Sequence, residues 1–275
     1  MRIGTLSFEL EKTDKMKLSG SQRCEIIKNI VQGNDLDLML CAGYSLDNKD
    51  QLNNLQQSMN ELRSKTILIL EVQSDDQIQK EGHPLKDLKL GSYGSKHKMY
   101  AIIPKIEPIN LGAQYFSTSS ELNNKKDGAN IIKKFEDAFH EKSALSFKNC
   151  NVVALCCGEI NILKGRSKVE FRSKIIEEAI FNSQIVVNPT HDAMSNYGTL
   201  IAKRKFLSQK KNGLTRIYIS SSNWNTHKKT KNGKIITQKP SSRTLHSVFL
   251  NGIEQIQYSQ NQDDLYEFRI TEIDL

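Results

Sequence analysis

No apolar stretch in these 275 residues approaches the roughly 20 needed to cross a bilayer, which excludes a membrane-spanning helix. The N-terminus, MRIGTLSFELEK, meets charge at Glu9 without an apolar core, so it does not read as a secretory signal. The five cysteines, Cys24, Cys41, Cys150, Cys156 and Cys157, are odd in number and contain no CxxC spacing. That excludes a complete disulfide framework and a paired-thiolate metal site, and it fits a reducing cytoplasm. A phosphate-binding glycine loop is lacking, since Gly91-Ser92-Tyr93-Gly94 reads as flexible loop. No metal-ligand cluster is visible, and no cofactor is expected. Acidic residues are missing altogether between Asp192 and Glu254, although this interval holds twelve of the chain's 39 lysines and arginines. The net charge is +8. Such a run is either a solvated surface and flexible loop or a patch for nucleic acid or another polyanion. In the second case Lys203, Arg204, Lys205, Lys228, Lys229 and Lys231 would carry it. Only Trp224, Tyr218 and Phe206 are interleaved, which is thin support for stacking on bases.

What is present is a polar chain, 37% hydrophobic and 25% charged, long enough for a full core. It shows neither an internal repeat nor a linker, so one domain over residues 1–275 is expected. Strand and helix patterns alternate from the start. Arg2–Phe8 reads as strand and Ser21–Gln32 as amphipathic helix stopped by Gly33. Leu36–Cys41 reads as strand, Asp50–Ser64 as helix and Thr66–Val72 as strand. Ser74–Lys98 reads as irregular surface and Met99–Ile106 as strand, with a short strand near Gly112–Ser117. Ser119–Lys126 reads as loop and Asn130–Glu141 as helix. Late in the chain, Leu200–Gln209 reads as basic helix, Thr215–Ser220 as strand and Ser221–Ser242 as a long polar loop. Leu245–Leu250, Ile253–Tyr258 and Leu265–Asp274 alternate as strands, with Asn251-Gly252 as a hairpin turn.

The stretch Asn149–Tyr197 is the most informative. Val152–Cys156 is a buried strand, Ser167–Asn182 a helical segment, and Ile185–Asn188 a second buried strand closed by Pro189. This is a parallel βαβ pattern, and ligands sit beyond the carboxyl ends of such strands. One end carries Cys157 and Glu159; the other carries Asn188, Thr190 and His191. A thiol at a strand end before a helix is a candidate nucleophile; its plain alternative is a small buried apolar residue. Glu159 is either part of the same pocket or a helix-start carboxylate favoured by the dipole. Glu71 ends an apolar strand on the face of Ile67 and Ile69. It is therefore either a replacement base at a pocket edge or the strand's solvated end. His191 is either a general base or an ordinary loop histidine.

Cys157-x-Glu159 after an apolar strand, with Val186-Val187-Asn188-Pro189 beyond the next helix, resembles the carbon–nitrogen hydrolase (nitrilase) family. Further segments match in order. MRIGTLSF resembles the family's first strand, and DLDLMLCAG its "DLVVFPE" segment. AKRKFLSQ with RIYISSSN resembles its late helix and strand, and SVFLNG and FRITEIDL its closing strands. The resemblance implies a four-layer αββα sandwich, a frequent homo-oligomer, and a Glu–Lys–Cys site in which the cysteine attacks an amide or nitrile carbon. Cys157 aligns with that cysteine. The glutamate position holds Gly43, or Ala42 if the register shifts by one, and the lysine position falls near Gln114 in LGAQYF. Lys105, Lys125 or Lys126 are the candidates for a displaced lysine. Gly43, Tyr44, Gln114, Asn188 and Thr190 are the expected substrate-binding positions.

Two readings follow. The first is a divergent thiol hydrolase of an amide-type C–N bond in a small-molecule substrate, with Cys157 as nucleophile and Glu159, Glu71 or His191 as base. The second is an inactive protein of the same fold that binds a ligand, a partner or a polyanion.

Overall fold

Apolar, β-branched runs form the strands, and amphipathic segments between them cover the strands' outer faces. The computed structural model describes residues 1–11, 16–73, 97–191, 196–224, 227–229, 235–237, 245–262 and 264–274. The chain first lays down β1 (Arg2–Phe8), α1 (Gly20–Gly33), β2 (Leu38–Cys41), α2 (Lys49–Glu61), β3 (Ile67–Val72), β4 (Lys98–Ile102) and β5 (Ile109–Ala113). Three helices, α3 (Ser119–Leu122), α4 (Gly128–Asp137) and α5 (Phe139–Lys142), lead to β6 (Leu145–Phe147) and β7 (Cys150–Ala154). A 3-10 helix over Cys157–Ile162 precedes β8 (Leu163–Lys164), β9 (Glu170–Phe171), α6 (Lys174–Phe181), β10 (Ile185–Thr190), α7 (Tyr197–Leu207) and β11 (Ile217–Ser222). The remaining strands are β12 (His227–Lys229), β13 (Ile235–Thr237), β14 (His246–Leu250), β15 (Ile253–Glu254), β16 (Tyr258–Gln262) and β17 (Tyr266–Glu272).

Two sheets carry the fold. One runs β16-β17-β1-β2-β3-β4-β5 and the other β15-β14-β11-β10-β7-β6. Within them β1, β2 and β3 are parallel, as are β7, β10 and β11. Period-two alternation splits each strand between two cores. Leu38, Leu40, Ile67 and Ile69 of the first sheet face Val152, Ala154, Ile185 and Val187 of the second. Met39, Cys41, Leu68 and Leu70 turn the other way, against Ile27, Ile30, Leu52 and Met59 of α1 and α2. Val153, Val186 and Tyr218 likewise meet Phe135, Ile176, Ile180 and Leu200 from α4, α6 and α7. The layers are therefore α, β, β, α. Side chains cap the starts of α1 and α2. Ser19 and Gln22 form a reciprocal box at α1, and the Asn48 side chain accepts from Gln51 N at α2.

Several elements differ from the sequence expectation. The segment 167–182 is not one helix. Glu170–Phe171 pairs with Leu163–Lys164 around Gly165 (φ +85°), and α6 begins only after its Ser173 cap. Val169 thus packs from the hairpin side rather than from a helix. Within 119–126 a short helix stands, capped by Thr118, and 130–141 is broken at Ala138 into α4 and α5. The strand after Ala113 does not extend to Ser117. Pro189 lies within β10 rather than ending it. The expected strand Ile253–Tyr258 divides: β15 closes a hairpin on β14 through Asn251-Gly252, both at positive φ, while β16 joins β17 in the other sheet. Part of the long loop 221–242 forms the β12–β13 hairpin. Residues 74–96, including Gly91–Gly94, lie outside the described residues. Among the described residues no helix is long and apolar enough to cross a membrane.

Candidate active site

The end of β7 is pinned by a buried ion pair. The Glu159 carboxylate accepts the N–H of Cys156 (2.7 Å) and that of Tyr115 (2.9 Å). Lys142 Nζ lies 3.1 Å from Glu159 Oε2 and donates to Ala113 O (2.7 Å) and to Cys156 Sγ (3.1 Å). Glu159, Lys142 and Cys156 have no exposed surface. Burial pushes the Cys156 thiol well above its ordinary value, with the Glu159 charge adding to it and Lys142 opposing. Burial also works against the Lys142 ammonium, but the Glu159 carboxylate and the hydrogen bonds to Cys156 and Glu159 hold it above the usual lysine range. Lys142 is therefore cationic, with Glu159 as counterion and a neutral thiol beside it. Gly158 completes the turn: a Cβ there would lie 2.2 Å from Ser117 Cα, so only glycine admits this approach.

The next residue looks into a different environment. Cys157 is partly exposed, and its Sγ accepts the backbone N–H of His191 (3.4 Å). The His191 ring lies 2.7 Å, through Nε2, from Glu71 Oε1. That carboxylate oxygen also accepts the Tyr44 N–H (3.2 Å) and lies 3.7 Å from His97 Nδ1. Tyr44, left-handed at φ +61°, stacks on His191 with ring centroids 4.0 Å apart and planes 10° apart. His97 meets both rings edge-on. Burial disfavours the imidazolium, yet the Glu71 carboxylate and Cys157, by charge and by hydrogen bonding, hold His191 well above its usual range. Burial similarly opposes the Glu71 charge, but His191, His97 and the Tyr44 N–H keep its carboxyl low. The result is a thiol–imidazole–carboxylate series with a stacked and therefore fixed ring.

Glu71, His97 and His191 place one donor atom each within 4.8 Å of one another, the sole such group among the described residues that could hold a metal ion. No spacing in the sequence announces it. The Glu71–His191 hydrogen bond already uses two of those donors.

The sequence-derived candidates separate into three groups. Cys157, His191, Glu71, Gly43 and Tyr44 come together at the series just described. Gly43 is the tightest fit: a Cβ there would lie 2.3 Å from His191 Cδ2 and 3.0 Å from His191 N. Glu159, Asn188 and Thr190 lie close by but hold backbone instead. Both Glu159 oxygens are engaged as above, so it positions the turn rather than acting as base for Cys157. Asn188 donates to Leu155 O and Cys156 O and accepts from Tyr218 Oη. Thr190 Oγ1 donates to Ser221 O. Gln114 is buried; its Nε2 donates to Phe116 O, while its Oε1 has no hydrogen-bond partner.

The third group is displaced. Lys203 and Arg204 are 3% and 1% exposed, bonded to Asn161 Oδ1 and Ser247 Oγ, so they form no part of an exposed cationic surface. Their helix turns those two cations inward, and only Lys205 of the trio is exposed. Lys228 and Lys229 lie on β12; Lys231 is outside the described residues. Lys105, Lys125 and Lys126 are exposed and take no part in the site. The lysine buried beside Glu159 is Lys142, which the sequence reading missed along with His97.

No family model matches the chain, and no curated protein matches it either. Solved structures do. An amidase of the nitrilase superfamily from Nesterenkonia AN1, in a cysteine-to-alanine variant, covers 99% of this chain and 90% of its own at 9% identity, with a TM-score of 0.53. The fold is that of the nitrilase superfamily. The NitN amidase from the same source matches over 100% of this chain and 93% of its own at 12% identity, TM-score 0.52. A glutamate-to-glutamine variant, with acrylamide added at its active-site cysteine, matches over the same shares at 12% identity, TM-score 0.51. In this nitrilase-type frame the residue types Glu, Lys and Cys do recur, as Glu159, Lys142 and Cys156, but around the sealed thiol. The partly exposed thiol has histidine and Glu71 instead.

Proposed function

We propose that the protein is a thiol hydrolase of amide-type C–N bonds, with Cys157 as nucleophile, His191 as its proton partner and Glu71 as the group that orients and charges His191. The observation that carries this reading is the His191 ring, lodged against Gly43 where the family resemblance expects a glutamate, and bonded at 2.7 Å to Glu71. The base is supplied from the end of β10 instead of the end of β2.

The steps balance without a cofactor. The Cys157 thiolate attacks the carbonyl carbon, forming the S–C bond. The His191 imidazolium gives its proton to the leaving nitrogen as the C–N bond breaks, leaving a thioester and a neutral imidazole. Water then loses a proton to His191 and attacks the thioester, releasing the acid and restoring the thiolate–imidazolium pair. Glu71 keeps its charge throughout. Lys142 and Glu159 fix the peptide just before the nucleophile.

A second reading, a non-catalytic ligand-binding protein of this fold, is favoured by one observation. Lys142, fully enclosed, has Ala113 O, Cys156 and Glu159 as its polar partners, so it is not placed beside Cys157 as an oxyanion donor. Incubation with fluoroacetamide or acrylamide, read by intact-protein and peptide mass spectrometry, separates the two. The hydrolase reading expects one adduct on Cys157, absent from Cys157→Ala and slowed in His191→Ala. A chain that takes up neither probe at Cys157 is not this enzyme.

A further inference from the structure

Away from Cys157, a cavity of about 540 Å³ opens between the 3-10 helix, the β8–β9 hairpin and the first turns of α7. Arg172, Lys203 and Lys164 line it, with the neutral side chains of Ser119, Asn161 and Thr199. Among the described residues no carboxylate lines it. Lys203 is 3% exposed, and its ammonium donates to Asn161 Oδ1 at 2.9 Å. Arg172 is half-buried and, among the described residues, bonds through Nε alone, to Asn161 O at 3.1 Å. Among the described residues neither cation has an acidic partner, whereas Lys164 shares Glu170 with Lys168.

Two cations held together on the protein's wall, with no counterion among the described residues, are an unfavourable arrangement. Burial, then the Arg172 charge, pushes Lys203 down to about 8. Asn161 sits between them and uses its oxygens to hold both, so the pair is built in rather than incidental. A dianion with several acceptor oxygens would cancel both charges and take the remaining Arg172 N–H donors as a fork. The Asn196 cap at the start of α7 adds the positive end of an eleven-residue helix.

We infer that this cavity is a binding site for a tetrahedral oxyanion of the phosphate class, either free phosphate or the phosphate group of a larger metabolite. The site is separate from the Cys157 series and does not depend on whether that series hydrolyses amides. An anion here would lock α7 to the 3-10 helix that begins at Cys157.

The test is calorimetric titration of the intact protein with inorganic phosphate and with a simple phosphomonoester, in buffers of different ionisation heat near pH 8. The expected result is saturable binding with proton uptake, because the anion restores charge to Lys203. Lys203→Met and Arg172→Met should each weaken it about tenfold or more, and Lys203→Arg should retain it. Tighter binding of the monoester assigns the site to a larger molecule, and equal binding to the free ion. Absence of binding at millimolar phosphate, or binding unchanged in both methionine variants with their folds intact by circular dichroism, overturns the inference.

Discussion

Gly43→Ala is the sharpest perturbation of the site. The added Cβ would lie 2.3 Å from His191 Cδ2, whereas ordinary contact begins at 3.4 Å. Two further atoms in its way, His191 N and Cα at 3.0 and 3.1 Å, are backbone of β10's exit and give way less readily than a ring. The ring must therefore move by about 1 Å, away from a hydrogen bond to Glu71 that is now 2.7 Å long. A misplacement of that size in a catalytic group costs on the order of 10²-fold in rate. Crowding a packed site costs about 1–3 kcal/mol of stability. The assay is the rate of acyl-enzyme formation with an activated amide, beside a urea unfolding curve. The account expects a drop of about 10²-fold in a protein that still unfolds cooperatively. Wild-type rates in Gly43→Ala would refute the idea that His191 in this position is what activates Cys157.

Other expectations follow from the same contacts. Glu71→Gln removes the opposite charge that raises His191, so Cys157 alkylation should slow and turnover should fall by about 10²-fold or more. Lys142→Met strands a buried carboxylate and should cost about 3–5 kcal/mol in chemical denaturation, with Lys142→Met/Glu159→Gln recovering part of it. The Glu71–His191 pair also sets a pH window for stability. Glu71, held low, contributes above its unfolded value near ~4.3 and loses this as pH falls through its folded value. His191, held high, contributes below its unfolded value near ~6.5 and loses this as pH rises through its folded value. The stability gap between wild type and His191→Ala should thus be widest between those two pH values and shrink on the alkaline side, as measured by urea midpoints.

Much of the scaffold was legible because burial writes a clear period. Leu38–Cys41 and Ile67–Val72 alternate between two cores, and that alternation already placed Glu71 with Ile67 and Ile69 on the face that meets the second sheet. The order of elements alone gave mixed α/β; the αββα layers were what the family resemblance implied, and the structure has them. Illegible parts were those decided by tertiary contact. Val169 fits a helical period, yet Gly165 and a two-residue pairing made its segment a hairpin. Lys203 and Arg204 look like surface charge, but α7 turns them inward onto Asn161 and Ser247. Lys142 ends a short helix among other charged residues, and nothing local marks it as the cation of a sealed pair. His97 follows a long polar stretch and joins the site only because β4 pairs with β3. Their partners, Glu159 and Glu71, were visible; the pairings were not.

The most direct measurement is the alkylation rate of each cysteine by iodoacetamide from pH 5 to 9, resolved by fragment mass spectrometry so that neighbouring Cys156 and Cys157 are distinguished. The account predicts that Cys157 reacts faster than the partly exposed Cys150, that Cys156 and Cys41 stay silent because burial holds both thiols protonated, and that His191→Ala removes the Cys157 advantage. A Cys157 that reacts no faster at pH 6 than the partly exposed Cys150, in a wild-type protein shown to be folded, would contradict the claim that His191 and Glu71 make it a nucleophile.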